Sequence, residues 1–158
     1  MGKASLKASD IPVTADSETV INKPVEIDGE TYNITCVSMG NPHCVVFVNN
    51  VDGFDVETVG KKFEHHEMFP DRVNTEFVKV INNKTLKMRV WERGNGETLA
   101  CGTGACAAVV AACENGICKK DEDIAVKLTG GELTIRYTDD TVYMTGDARL
   151  VFEGEVEI

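Results

Sequence analysis

The sequence predicts an α+β fold in which a curved, mostly antiparallel β-sheet or barrel is wrapped around a central apolar helix, in a single domain spanning residues 1–158. Three observations predict it. Short β-rich runs recur along the chain, separated by turn residues. The connections at Asp28-Gly29 and Asn82-Asn83-Lys84-Thr85 are short enough to join their flanking runs as hairpins. Between the strand-like regions, Ala105 to Cys113 reads Ala-Cys-Ala-Ala-Val-Val-Ala-Ala-Cys, a helix with no polar face that has to be enclosed by other elements.

The elements follow in order. Val20 to Ile27 and Thr31 to Val37 flank Asp28-Gly29, whose tolerance of positive φ suits a tight turn, so the chain opens with antiparallel strands. Met39-Gly40-Asn41-Pro42-His43 has turn chemistry, since proline disfavours helix at the preceding Asn41. Cys44 to Val48 then reads as a buried strand with His43 at its edge. Asp55 is placed to cap a helix running to about Glu67, with Val56, Val59 and Phe63 on one face and Pro70 beyond its end; it reads as an ordinary surface helix. Glu76 to Ile81 and Leu86 to Trp91 form the second hairpin, where Leu86, Met88 and Val90 alternate with Lys87 and Arg89. The apolar helix has small side chains that let neighbours approach closely, and Asn115-Gly116 ends it. Four more strands are expected at Ile124 to Leu128, Glu132 to Tyr137, Thr141 to Met144 and Arg149 to Val156, divided by Gly130-Gly131, Asp139-Asp140 and Gly146-Asp147.

Charge narrows the partners. A formal net charge of −10 sets the chain against a phosphate backbone or an anionic lipid surface, so neither nucleic acid nor membrane is an expected partner. No apolar run approaches the roughly 20 residues that span a bilayer, and a cytoplasmic location is the expectation. The cysteines at positions 36, 44, 101, 106, 113 and 118 lie mostly in apolar runs rather than in a secreted disulfide framework. No Cys-x-x-Cys occurs and His65-His66 lacks helical ligand spacing, so no metal is expected.

The stretch that calls for a chemical reason is Glu92-Arg93-Gly94-Asn95-Gly96-Glu97-Thr98-Leu99-Ala100-Cys101-Gly102-Thr103-Gly104, which carries a strand into the apolar helix. Glycines let backbone N–H groups come close to a ligand, and the first turn of a helix leaves several N–H groups free beside its positive end. A carboxylate or a phosphate fits such a mouth. Neither Gly-x-x-x-x-Gly-Lys-Ser/Thr nor Gly-x-Gly-x-x-Gly is present, which argues against a nucleotide. Cys101 precedes Gly102, where N–H groups and the helix dipole favour thiolate, making it the best nucleophile or base in the chain. A free cysteine is more often a small buried hydrophobe, which is how Cys36, Cys44, Cys106 and Cys113 read. Glu92-Arg93 reads either as a solvated pair or as a glutamate that tunes a thiol or holds an ammonium beside an arginine fork for a carboxylate. His43 is either structural or a proton shuttle. Asn41 and Asn74 are turn formers or polar substrate contacts.

These residues lie in motifs that resemble the carboxyl-terminal half of the diaminopimelate epimerase family, within the proline racemase and phenazine-isomerase superfamily. The motifs are Ser38-Met39-Gly40-Asn41-Pro42-His43-Cys44, Phe69-Pro70-Asp71-Arg72-Val73-Asn74, and Trp91-Glu92-Arg93-Gly94 with Glu97 to Cys106. They occur in family order and are followed by Thr145-Gly146-Asp147-Ala148 and Val151-Phe152-Glu153-Gly154-Glu155. The resemblance implies a cofactor-independent isomerase, without pyridoxal, that interconverts LL- and meso-diaminopimelate in lysine biosynthesis. In that family one cysteine removes the α-proton and a second, on the opposite face, returns one. Cys101 matches the second, Glu92 the residue that tunes a catalytic thiol, and His43 its counterpart. Asn41, Asn74, Glu92 and Arg93 match substrate contacts, and Gly102 and Thr103 the carboxylate cradle.

The family's first cysteine lies in an amino-terminal domain that nothing in these residues matches. The resemblance therefore implies half an active site, a missing amino-terminal domain as partner, and a chain inactive alone. Two other readings are weighed beside it. One is a related amino-acid racemase; the other is a non-catalytic binding or assembly module, including a homodimer.

Overall fold

The computed structural model describes residues 1–157, and among them nine strands and two α-helices form a mixed sheet with one helix on each face. Strands β1 (Lys23–Ile27) and β2 (Glu30–Ser38) make the first hairpin, with Asp28 and Gly29 at φ 55° and 82°. That is the left-handed backbone the Asp-Gly pair was expected to adopt. Strand β3 (Pro42–Phe47) pairs antiparallel with β2. Helix α1 (Val56–Glu64) follows, its first turn closed by Asp55, whose carboxylate accepts from the Thr58 N–H. Strands β4 (Asn74–Asn82) and β5 (Thr85–Glu92) form the second hairpin. The remaining elements are β6 (Gly96–Thr98), helix α2 (Gly102–Glu114), β7 (Asp123–Leu128), β8 (Gly131–Tyr137) and β9 (Val142–Thr145).

The strand order is β1-β2-β3-β4-β5-β7-β8-β9, with β6 paired to β5 beside this path. Two pairings are parallel, β3 with β4 and β5 with β7. Each spans a helix, because a strand that is to run parallel to its predecessor needs a crossover to return the chain to the same end. The sheet is mostly antiparallel, as expected. It is open rather than a closed barrel, with β1 and β9 at its edges.

Helix α2 packs against β2, β3, β4, β5, β7, β8 and β9, and Ala105 to Ala112 have no exposed surface. Strand alternation sends Val37, Val45, Val78, Leu86, Met88 and Val90 to this side. Ile34, Cys36, Cys44, Val46 and Phe77 go to the other, where they meet Val56 and Phe63 of α1.

Two expectations are corrected. Helix α1 is not merely a surface helix, since Val56, Gly60, Phe63 and Glu64 are buried, and Val56 and Phe63 belong to the core cluster that also holds Ile11, Val13 and Val20. The strand expected at Arg149 to Val156 is absent. A strand needs a neighbour for its backbone groups, and residues 146–157 have none among the described residues. Leu150, Val151, Phe152 and Val156 are instead 77–87% exposed.

Candidate proton-transfer site at the mouth of the central helix

Strand β5 splits its free edge between two partners. Residues 90–92 pair with β6, and residues 85–87 pair with β7. The chain leaves β6, passes Leu99 and Ala100, and enters α2 at this split. Cys101 is the N-cap of α2, with extended backbone and its Sγ accepting from the Gly104 N–H at 3.3 Å. The same sulfur lies 3.6 Å from the Thr103 hydroxyl, and the Ala105 N–H donates to the Cys101 carbonyl at 2.9 Å. The thiol thus replaces the serine or aspartate that usually caps a helix.

The residues of the turn before β3 converge on this mouth. The Asn41 side-chain N–H donates to Thr103 Oγ1 at 3.3 Å, and Asn41 Oδ1 lies 3.0 Å from His43 Nε2. His43 Nδ1 lies 2.7 Å from Glu76 Oε1. The five side chains of Cys101, Thr103, Asn41, His43 and Glu76 therefore form one connected line. His43 was expected at a strand edge. It is instead completely buried on β3, because the strand begins at Pro42, and it faces the α2 side with Val45.

The second group of site residues is tied together separately. The Asn74 side chain donates to the Pro42 carbonyl at 2.8 Å and accepts from the Arg93 backbone N–H at 2.9 Å. The Arg93 guanidinium donates to the Asp71 carbonyl at 2.9 Å. Glu92 accepts from the Thr98 hydroxyl across the β5–β6 ladder. The two groups meet at Pro42-His43, which carries the carbonyl that Asn74 holds and the ring that Asn41 meets. No hydrogen bond links Glu92 or Arg93 to the Cys101 line, although the Glu92 charge is felt at the thiol.

The electrostatics depart from the sequence expectation. Burial pushes the Cys101 thiol up, and the Glu76 carboxylate pushes it the same way. The bonds from Thr103 and Gly104 oppose this without reversing it. The helix mouth therefore favours thiol over thiolate. Cys106 is pushed up to about 11 and Cys113 to about 12, first by burial, in keeping with their packing role.

Two functional candidates escaped sequence reasoning. Glu76 occupies the third position of β4, where alternation puts it on the α2 face beside Val78; a charged residue in phase with a buried valine is the signal that marks it. Glu64 of α1 accepts from the Trp91 indole at 2.7 Å, the Gly94 N–H at 3.0 Å and Arg72 at 3.4 Å, and so anchors the Glu92-Arg93-Gly94 turn. Its only sequence signal is a position one residue after Phe63 on the helix face turned to the sheet.

The sequence model of the diaminopimelate epimerase family matches residues 35–151. The diaminopimelate epimerase of Acetivibrio thermocellus is 56% identical over 160 residues, covering 100% of this chain and 56% of that protein. Those of Microcystis aeruginosa and Methanococcus maripaludis are 55% and 51% identical, with 98% and 100% of this chain and 56% and 57% of theirs covered. The chain spans about half the length of the curated relatives it matches. Among solved structures, a predicted epimerase of Pseudomonas aeruginosa aligns with a TM-score of 0.51 and 15% identity over 96% of this chain and 57% of that one, a likeness of fold.

Proposed function

The chain belongs to the diaminopimelate epimerase family, and on that premise we propose that it supplies one of the two proton-transferring faces of an enzyme interconverting LL- and meso-diaminopimelate. The observation that carries the proposal is the Cys101 thiol capping α2 beside Thr103 and Asn41. An α-hydrogen next to a carboxylate is very weakly acidic, so its removal needs fixed dipoles where negative charge develops. The substrate carboxylate sits at the N-terminus of α2, at Gly102 and Thr103. A base on the far face takes the α-proton and leaves the C–H electron pair on carbon. The Cys101 S–H then gives its proton to the near face, which inverts the centre and leaves a thiolate on Cys101. In the reverse direction that thiolate is the base.

The raised thiol suits this role, because the donating cysteine has to hold a proton until the carbanion forms. Glu92, whose charge reaches the sulfur, tunes it. His43 serves as the counterpart of Glu92 for the opposite thiol. Arg93 and Asn74 read the distal amino-acid group, Arg93 through its guanidinium once it leaves the Asp71 carbonyl.

The far base comes from the remainder of the enzyme, which occupies the exposed face of Leu150, Val151 and Phe152. The chain alone is accordingly inactive. Among the described residues no helix is long and apolar enough to cross a membrane.

Thermal unfolding with added ligand tests the substrate. Saturating meso-diaminopimelate at about 100 times its Kd stabilises by about 2.7 kcal/mol and raises Tm by several degrees, while proline at equal concentration does not. Preferential protection by proline sinks the substrate assignment and favours a related racemase. Light scattering that finds a stable homodimer, with no binding in a substrate titration, favours the assembly reading.

A further inference from the structure

The proposed mechanism leaves one buried charge without a task. Glu76 and His43 are both 0% exposed, and the second Glu76 oxygen, Oε2, has no hydrogen-bond partner. A buried carboxylate costs several kcal/mol unless its surroundings compensate it, and a half-satisfied one is worse than an apolar side chain in the same place. Val45 and Val78 on the same face show what packing alone asks for here. The carboxylate also keeps a second neighbour small, since a Cβ at Gly104 would lie 2.7 Å from Glu76 Oε1.

Its geometry is that of a carboxylate behind an imidazole. Nδ1 of His43 faces Glu76 Oε1 at 2.7 Å, and Nε2 faces Asn41 Oδ1 at 3.0 Å. The Asn41 amide turns its N–H to Thr103, which adjoins Cys101. A charge-assisted bond to an ionised carboxylate keeps a proton on the nitrogen it touches and fixes the ring's orientation. Among the Cα partners of His43, β2 presents Val37 and β4 presents Asn74, neither charged. The titratable groups along the line are Glu76 at one end and Cys101 at the other.

Resting on the roles given above to His43, Asn41 and Cys101, we propose that Glu76 is a positioning residue that holds a proton on His43 Nδ1. Nε2, on the side of the helix mouth, is then the nitrogen whose state the Asn41 amide reads. The Asn41 amide follows it. With Nε2 protonated the amide oxygen faces the ring and its N–H reaches Thr103, as observed; with Nε2 bare the amide turns over and withdraws that bond.

Nitrogen-15 NMR of the His43 ring in this chain tests the proposal without substrate or a second domain. In the neutral ring the single proton resides on Nδ1. In Glu76→Gln, whose amide both donates and accepts, the Nδ1–H to Nε2–H ratio falls at least about ten-fold. A neutral wild-type ring carrying its proton on Nε2 overturns the proposal even if the variant does not fold, and so does an unchanged ratio in a folded Glu76→Gln. Failure here leaves the epimerase reading standing, and loss of that reading leaves the tautomer result intact.

Discussion

At Gly104 the space for a methyl group is already taken, by Glu76 Oε1 at 2.7 Å and Cys101 Sγ at 3.2 Å from an ideal Cβ. Gly104→Ala is expected to cost on the order of 2 kcal/mol, read as a lower urea midpoint, and to displace the thiol from its N–H donor. A variant as stable as the parent, with unchanged thiol reactivity, would contradict that crowding. The sequence marked this loop for its glycines but for a different reason, the approach of a ligand to the backbone. The reason visible in the structure, room for a buried carboxylate, was hidden because Glu76 is remote from Gly104 in the chain. Cys101, Thr103, Asn41 and His43 were legible, because they stand in dense local motifs. The direction of the thiol's shift was not, since it depends on burial and on Glu76, and spacing shows only the helix dipole.

Among the elements, α1 shows how much a helix face can conceal. Its apolar stripe and cap were readable from Asp55, Val56 and Phe63, but it ends at Glu64 rather than near Glu67. Glu64, on a helix expected to be a surface one, is buried and holds the loop that carries Glu92 and Arg93. Burial raises its carboxyl, but the bonds from Trp91 and Gly94 outweigh this and hold it below the usual glutamate range. A lowered carboxyl contributes stability above its unfolded value, and that contribution is lost as pH falls through the folded one. Glu64→Ala leaves the Trp91 indole N–H without its acceptor and is expected to cost about 2 kcal/mol at neutral pH, with a smaller difference from the parent at pH 3. Equal urea midpoints at pH 7 would count against the anchoring role. The tail after Thr145 teaches the opposite lesson. Val151 and Phe152 have strand-like composition, but strand formation is a property of a pair, and no partner lies beside them among the described residues.

For the whole molecule, hairpin signals found most of the antiparallel ladder and the all-apolar pattern found the enclosed helix. The parallel pairs were missed, because β3 with β4 and β5 with β7 join strands whose relation is set by an intervening helix and carries no local turn signal. The same enclosure governs the alkaline limit. Cys44, Cys101, Cys106, Cys113 and Cys118 are all raised, chiefly by burial. Above about pH 9 the unfolded thiols release protons that the folded ones keep, so stability present below that pH is lost as pH rises through the folded values. Each fully buried thiol contributes a slope of up to about 1.4 kcal/mol per pH unit, and the urea midpoint is expected to fall steeply between pH 9 and 11. A flat profile there would contradict the burial of these side chains.

If Cys101 is one of two proton-transferring groups acting on an α-carbon, solvent exchange at that carbon depends on its thiol. The chain is combined with the complementary amino-terminal half of a diaminopimelate epimerase in deuterated water, and deuterium at the substrate α-carbon is measured for the parent and for Cys101→Ser. Exchange is expected from the parent pair, with a loss of at least about 100-fold in the variant. Full exchange with Cys101→Ser, or none from a folded parent pair, would contradict that role.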